Sequence, residues 1–212
     1  VLKRPRGEAG FVLGVRTAVR LAAAGRRLLL TGPPSADDFR LNKLSGLPVA
    51  WLPGLRKIDP ELTWLVEADG SAGRPVKAHR SNEPVWPPPP YFSIFVLGLS
   101  ALTRPWTETI HRPEIFALSQ PLPDSARPLT PEELLAFTLK ASRSLAPDAL
   151  FLNQADALPQ DRQAAGKKLG LALAAAGFRV VSGSLRRQEF FEIPSPVLSE
   201  PNKLKIGDIN FG

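Results

Sequence analysis

Cysteine and methionine are both absent from the 212 residues, and histidine occurs only twice. The lack of cysteine excludes disulfide bonds and thiolate metal sites, and two histidines leave little for a zinc site. We therefore expect any metal to be bound by oxygen atoms. No apolar run approaches the roughly 20 residues that cross a bilayer, and we expect no signal peptide. These absences predict a cytoplasmic protein without a membrane partner.

The absence of methionine is unusual because the chain is rich in leucine and lacks methionine even at position 1. We hypothesise that residues are missing from this sequence, around residues 10–20 and at methionine positions. Some spacings in the sequence would then be compressed, and a motif near residues 10–20 would be the most affected.

Basic residues outnumber acidic ones, with 27 Lys and Arg against 20 Asp and Glu, a net charge of +7. This balance favours anionic partners. Aromatic and basic residues are not interleaved as in single-strand binders, so we favour a nucleotide over a nucleic acid. A hydrophobic content of 43% is enough to bury one core. We expect a single domain over residues 1–193 and an irregular tail over residues 194–212.

Strand-like and helix-like segments alternate along the chain. Apolar runs predict strands at residues 10–14, 27–31, 62–66, 91–99, 149–153 and 178–181, and a short one at 48–52. Helical spacing and capping residues predict helices over residues 15–24, about 131–142 and 161–176, with a further helix start near Pro113. This alternation predicts an α/β fold in which a doubly wound, mostly parallel sheet lies in a three-layer arrangement.

Two carboxylates follow the apolar run at residues 62–66, where Glu67 and Asp69 lie two positions apart. Ligand sites in open α/β sheets lie at the carboxyl ends of strands. On an extended backbone the two side chains point the same way, and their oxygens suit Mg²⁺ or a water molecule beside it. We predict that both residues are metal ligands and catalytic groups. The alternative is an ordinary loop with surface charges.

Basic residues and a glycine come next, with Gly70, Arg74 and Lys77 close behind the two carboxylates. Phosphate groups are bound by such donors, while their metal takes oxygen ligands. Arg112 is a further candidate anion contact, because its planar guanidinium suits phosphate or carboxylate. His79 and His111 could act as general bases, although a lone loop histidine is more often structural.

The first strand–glycine–helix segment has the order of a phosphate-binding loop. The consensus GxxxxGK followed by Ser or Thr is absent, because Gly14-Val15-Arg16-Thr17 has neither a second glycine nor the lysine. If residues are missing here, Thr17 is the remnant of the hydroxyl that binds Mg²⁺, and Gly14 belongs to the loop. If none is missing, the segment is a degenerate loop or a plain strand-to-helix turn.

The segment Asn153-Gln154-Ala155-Asp156, called the Asn153 segment below, directly follows an expected strand and is similar to the (N/T)KxD element of GTP-binding proteins. In that element the carboxylate accepts two hydrogens from the guanine N1 and N2 edge, and the asparagine ties neighbouring loops together. Gln154 stands where the element has a lysine that stacks along the base. The alternative is an Asn/Asp turn that caps the next helix.

Five blocks of sequence carry a family resemblance, at residues 66–78, 82–85, 96–102, 111–116 and 152–156. In this order they resemble the selenium-dependent molybdenum hydroxylase accessory proteins, also called selenium cofactor biosynthesis protein YqeC. The resemblance implies a P-loop NTPase-like fold, a nucleotide ligand and a role in maturing molybdenum hydroxylases related to xanthine dehydrogenase. Family members carry a GGKTT-type loop after the first strand, whereas this chain has residues 13–18 there.

The leading hypothesis is a nucleotide-binding accessory protein that uses GTP or ATP with Mg²⁺ and acts on a molybdenum hydroxylase or its cofactor. The expected metal ligands are Thr17, Glu67 and Asp69. The expected nucleotide contacts are Gly14, Thr17, Gly70, Arg74, Lys77, Arg112, Asn153 and Asp156. One alternative is a carrier that holds an anionic, molybdopterin-type cofactor and hydrolyses nothing. Another is a basic protein that binds nucleic acid.

Overall fold

The computed structural model describes residues 30–31, 46–58, 60–89 and 91–195. These residues fall into two compact units, one holding the described residues up to 69 with 84–89 and 91, the other holding 70–83 and 92–195. The strand and helix expected between residues 10 and 24, with Gly14 and Thr17, lie outside the described residues, as does the tail from residue 196. Residues 30–31, the described end of another expected strand, are irregular.

In the first unit, a 3-10 turn at Val49–Trp51 leads into helix α1, Leu52–Ile58. The expected strand at residues 48–52 is therefore wrong. Pro48 precedes the turn with a φ of −56°, and Pro53 follows at the second helical position. Proline favours the first turn of a helix because its ring fixes φ and it has no N–H to contribute to a strand ladder.

The expected strand at residues 62–66 is also wrong, because residues 63–70 have no regular secondary structure. Leu62 and Trp64 pack against buried Leu55 of α1, whereas Leu65 is 84% exposed and Val66 45% exposed. Residues 62–65 alternate between partly buried and exposed side chains as in an extended chain, and Val66 breaks the alternation. A strand additionally requires a neighbouring backbone with which to exchange hydrogen bonds. The apolar run alone was therefore not sufficient to predict a strand.

The second unit contains a four-stranded mixed sheet with the order β2-β4-β5-β6. Its strands are β2 (Ile94–Gly98), β4 (Ala149–Asn153), β5 (Val180–Ser184) and β6 (Glu189–Ile193). The first three are parallel, with Val96 opposite Phe151 and Phe151 opposite Val181, and β6 returns antiparallel to β5. The predicted α/β class and the strands in β2 and β4 are confirmed. Strand β6 was not predicted.

Two long helices supply the core that packs against this sheet. They are α4 (Pro131–Leu145) and α5 (Gln160–Ala175), and both were predicted. Helix α4 begins with the expected capping box, in which Thr130 Oγ accepts from the Glu133 N–H at 3.2 Å and the Thr130 N–H donates to Glu133 Oε2 at 2.8 Å. The buried core joins sheet and helices, for example Leu97, Leu150, Leu152, Leu134, Leu169 and Leu173. Complete burial of one such leucine contributes about 2 kcal/mol.

A separate pair of very short strands completes the second unit. Strand β1 (Val76–Lys77) lies parallel to β3 (Ile110–His111), with Val76 opposite Ile110 and Lys77 opposite His111. Val76 and Ile110 are fully buried. Helix α2 (Trp106–Thr109) precedes β3, and α3 (Pro113–Ala117) follows it, as the proline predicted. Within the ranges that the structure describes, no helix is long and apolar enough to cross a membrane.

Candidate functional site

The parallel pair β1 and β3 presents basic side chains at its carboxyl end. Lys77 and His111 are register partners, and Arg112 follows directly. Their neighbours Val76 and Ile110 point into the core, because side chains alternate along a strand. We call Arg74, Lys77, His111 and Arg112 the basic cluster. Its members come from two segments more than thirty residues apart, and the strand pairing brings them together.

Glu83 is the carboxylate that the structure places on this cluster. Both of its oxygens accept hydrogen bonds from the Arg112 guanidinium, Oε1 from Nη2 at 2.8 Å and Oε2 from Nη1. Lys77 Nζ lies 3.5 Å from Glu83 Oε2. The bonds from Arg112 are the main cause that lowers the pKa of Glu83 to about 2. Glu83 is therefore ionised at every physiological pH.

The Glu83 and Arg112 side chains are largely shielded from water, with 17% and 16% of their surfaces exposed, and that of Lys77 is only 6% exposed. Arg112 also has a left-handed backbone, with φ of 64° and ψ of 65°. This conformation is unfavourable for a residue with a Cβ, and such strain persists only where surrounding contacts over-determine it. The Arg112 guanidinium is thus held in place by both its backbone and its ion pair.

His111 lies within a strongly positive environment. Its pKa is lowered below the usual value, first by burial and then by the positive charges of Arg112, Lys77 and Arg74, while Glu83 acts in the opposite direction. A neutral imidazole can offer one donor and one acceptor. His111 is therefore the member of the cluster whose charge responds most directly to any added anion.

Arg74 and Lys77 are also bound to backbone carbonyl groups. Arg74 Nη1 donates to the carbonyl oxygens of Thr107, at 2.8 Å, and Ile110, at 2.7 Å. Lys77 Nζ donates to the carbonyl oxygen of Gly70 at 2.8 Å. These bonds compensate part of the cost of burying positive charge. They also fix the loop that begins at Gly70 against the end of α2 and the start of β3.

Strand β1 meets the carboxyl end of β2 at Gly98. The Gly98 N–H donates to the Pro75 carbonyl oxygen at 2.8 Å. A Cβ at Gly98 would overlap Pro75 Cβ and lie 2.5 Å from Gln154 Oε1. Gln154 Oε1 also accepts from Ser100 Oγ at 2.7 Å. The absence of a side chain at Gly98 therefore allows the loop before β1 and the Asn153 segment each to approach the end of β2 closely.

The Asn153 segment is fastened to the β5–β6 turn, residues 185–188. Asn153 Oδ1 accepts from the Leu185 N–H at 3.1 Å, which joins two neighbouring loops. Asp156 Oδ2 accepts from Arg186 Nη2 at 2.7 Å and Nε at 3.1 Å. The pKa of Asp156 is lowered, first by a hydrogen bond from Ser184 and then by Arg186. Asp156 is thus an ionised acceptor that Arg186 covers.

A family comparison covers the basic cluster. The model of the YqeC protein family matches residues 18–114, just under half of the chain. Over this range the chain is similar to the YqeC family. No curated protein and no solved structure matches it. The matched range contains the whole basic cluster and Glu83, whereas the Asn153 segment lies beyond its end.

The two carboxylates expected to bind metal, Glu67 and Asp69, lie in an irregular segment of the first unit. Glu67 is exposed and Asp69 is partly buried. Among the described residues, no three His, Asp or Glu side chains come together as a metal site. Their oxygens fit Mg²⁺ chemically, but two carboxylates supply only part of its six ligands. Thr17 and Gly14, the other expected contacts, lie outside the described residues.

Sequence reasoning missed two partners in the candidate site, Glu83 and Arg186. Glu83 stands 29 positions before Arg112, and Arg186 stands 30 positions after Asp156. Neither pair has a local spacing that predicts contact. The signal available for Glu83 was its place within the family block at residues 82–85. For Arg186 it was the two adjacent arginines after a strand.

Proposed function

We propose that this chain is a YqeC-type accessory protein that binds a nucleoside triphosphate, GTP or ATP, together with Mg²⁺. Its similarity to the YqeC family suggests a role in the maturation of selenium-dependent hydroxylases. The observation that carries the nucleotide proposal is the junction at Gly98, where the Asn153 segment and the loop leading into the basic cluster meet at the carboxyl end of β2. Such strand ends are the usual ligand sites of open α/β sheets. A three-layer, P-loop NTPase-like fold belongs to the same proposal.

Base recognition is assigned to the Asn153 segment. The lowered pKa of Asp156 keeps it ionised, as an acceptor for two N–H groups on a guanine edge must be. Asn153 already makes the loop-to-loop bond that such elements need. Arg186 covers Asp156, yet 79% of the Arg186 side chain is exposed. The Asp156 side chain itself is 8% exposed, so the arginine is the partner that would turn into solvent to admit a base.

Phosphate contacts are assigned to Arg74, Lys77 and Arg112, with Gly70 in the same loop. Guanidinium and ammonium groups bind phosphate through charge-assisted hydrogen bonds. Gly14 and Thr17 would contribute a further loop. Each of the three basic side chains already has a protein partner, so a phosphate would have to compete with those partners.

Glu67, Asp69 and the Thr17 hydroxyl are the proposed Mg²⁺ ligands, and phosphate oxygens and water would complete the coordination. When bound, the metal would neutralise charge that accumulates on the phosphate groups. The carboxylates of this chain would orient the metal and a nearby water molecule. The Asn153 segment supports the binding of the nucleotide. Hydrolysis of the bound nucleotide is a further step of the proposal.

The test is thermal unfolding of the purified chain with Mg²⁺ and millimolar GTP or ATP. A ligand that binds only the folded protein must stabilise it. The stabilisation should be lost in Asp156→Asn and retained in the matched control Asp161→Asn, whose side chain is 77% exposed on α5. Phosphate release that is lost in Asp69→Asn would show hydrolysis. If neither nucleotide raises the unfolding temperature, the nucleotide proposal fails.

The second candidate is a carrier that holds an anionic, molybdopterin-type cofactor without hydrolysing anything. The basic cluster favours it, because these side chains lie on β1 and β3 and do not require the Asn153 segment to bind an anion. A phosphorylated pterin that stabilises the chain equally in the wild type and in Asp156→Asn would support the carrier. Dependence on Asp156 would contradict it.

A further inference from the structure

The pair between Glu83 and Arg112 has the geometry of ligand recognition. A planar guanidinium that gives two parallel bonds to one carboxylate is also the arrangement by which arginine binds phosphate groups. Here the second bond is 2.8 Å long, and Lys77 Nζ approaches the same carboxylate at 3.5 Å. Glu83 thus occupies the position that the anionic group of a ligand would take.

The basic side chains belong to the strand pair, whereas the carboxylate belongs to a surface turn. Lys77 lies on β1 and is anchored to the Gly70 carbonyl oxygen, while Arg112 directly follows β3. Glu83 ends a turn in which its N–H donates to the Arg80 carbonyl oxygen at 3.0 Å and its Oε2 accepts from the Arg80 N–H at 3.2 Å. Residues 80–82 of that turn are exposed. Removing the Glu83 side chain therefore requires movement of a surface turn, and the two cations stay in place.

The charge around the carboxylate favours an anion with more than one negative charge. Arg112, Lys77 and Arg74 act on His111 with positive charge, against the negative charge of Glu83. A phosphoryl group has three oxygens and up to two charges, so it can accept from the Arg112 fork and still accept from Lys77 or His111. A single carboxylate has only two oxygens.

We propose that Arg112 and Lys77 form an anion subsite that Glu83 fills in the free protein, and that the phosphoryl group of a ligand displaces Glu83 from it. The subsite requires only the second unit. The inference rests on the proposed function solely for the source of the phosphoryl group, which is the nucleotide in one candidate function and a phosphorylated cofactor in the other. Glu83 is then the residue that excludes weakly charged anions from the cluster.

The experiment uses inorganic phosphate as the probe, with the full chain at constant ionic strength and chloride as the reference anion. Glu83→Gln keeps the shape of the side chain and removes its charge. We expect this variant to bind phosphate at least about tenfold more tightly than the wild type, measured by calorimetry. Glu108→Gln is the matched control, because it removes a carboxylate from an exposed arginine pair elsewhere. It should bind phosphate like the wild type.

The histidine ring signals provide a second measurement. The chain has two histidines, so their resonances are readily assigned with a His79→Gln variant. Phosphate bound beside His111 should raise its pKa in both the wild type and Glu83→Gln, at lower phosphate concentrations in the variant. The wild-type titration remains informative if the variant does not fold. A His111 pKa that phosphate leaves unchanged would overturn the inference.

Two further results separate this inference from the proposed function. Adding Arg112→Gln to Glu83→Gln should abolish the gain in phosphate affinity, and retention of the gain would overturn the subsite. Tight phosphate binding by Glu83→Gln without stabilisation by GTP or ATP would support the subsite and contradict the nucleotide proposal. Stabilisation by GTP with equal phosphate affinity in Glu83→Gln, Glu108→Gln and the wild type would overturn the subsite alone.

Discussion

The two ends of the candidate site each contain a shielded carboxylate paired with an arginine, and the two arginines differ in exposure. The Glu83 and Asp156 side chains are 17% and 8% exposed, whereas Arg112 is 16% exposed and Arg186 is 79% exposed. Water therefore screens the charge of Arg186 and leaves the charge of Arg112 largely unscreened. The comparison shows how one chain can use the same chemistry for a firmly held contact and for an exchangeable one.

The largest expected effect is that of Arg112→Ala. It leaves the ionised and shielded Glu83 without its guanidinium, so we expect the free energy of unfolding to fall by about 3 to 4 kcal/mol. Urea unfolding at pH 7 measures this. Arg104→Ala, which breaks the exposed pair with Glu108, should leave the unfolding midpoint unchanged. Equal effects of the two substitutions would contradict the distinction between the pairs.

The second-largest expected effect is the weakening of the pair between Glu83 and Arg112 by acid. The pKa of Glu83 is lowered from 4.5 to about 2, so its contribution is present above pH 4.5 and is lost as the pH falls through about 2. Because a tenfold change in an equilibrium constant corresponds to about 1.4 kcal/mol, the contribution is about 3 kcal/mol. The stability difference between the wild type and Glu83→Gln should shrink by this amount between pH 5 and 2. A constant difference would rule out the pair as its cause.

Gly98→Ala tests the junction at Gly98, where the loop before the basic cluster and the Asn153 segment approach the end of β2. The added methyl group would overlap Pro75 and lie 2.5 Å from Gln154 Oε1, and overpacking of this kind destabilises by about 2 kcal/mol. Gly54→Ala in helix α1 is the matched control, since nothing lies within 4 Å of its added Cβ. It should be neutral or slightly stabilising. Similar unfolding midpoints for the two variants would contradict the close approach at Gly98.

The smallest expected effect on stability is that of Arg186→Ala. The Asp156 carboxylate keeps its hydrogen bond from Ser184 and the approach of Arg187 Nε at 3.9 Å, so the unfolding midpoint should fall only slightly. The pKa of Asp156 should rise towards its usual value, as followed by carboxyl carbon signals, but remain somewhat lowered by Ser184. A clear loss of stability would show that Arg186 stabilises the fold through Asp156 as Arg112 does through Glu83, and would contradict the comparison.

Elements with local signals were predicted from the sequence. Helix α4 has a capping box and proline at its first position, and α5 ends close to Gly177, whose φ is 91°. Strands β2 and β4 are apolar runs that lie inside or beside the core. Each of these features depends on neighbours within a few positions, which is why composition and spacing were enough to find them.

Elements that depend on distant partners were not predicted. The run at residues 62–66 has strand-like alternation up to residue 65 and no ladder, while β1 and β3 have a ladder and are too short to show a period. The same limit applies to the site. Lys77 and Arg112 were recognised by residue type, but their shared partner Glu83 is brought to them by pairing across the fold.

The left-handed backbone of Arg112 has a consequence for saturation mutagenesis at this position. Glycine, asparagine and aspartate suit that conformation best but carry no guanidinium, while lysine keeps a positive charge and pays the same backbone cost as arginine. In a Glu83→Gln background, where loss of the guanidinium leaves no charge unpaired, selection for folding alone should therefore enrich glycine and asparagine, and selection for anion capture should enrich arginine. The two sets of preferred residues at one codon would separate what the backbone requires from what the side chain supplies.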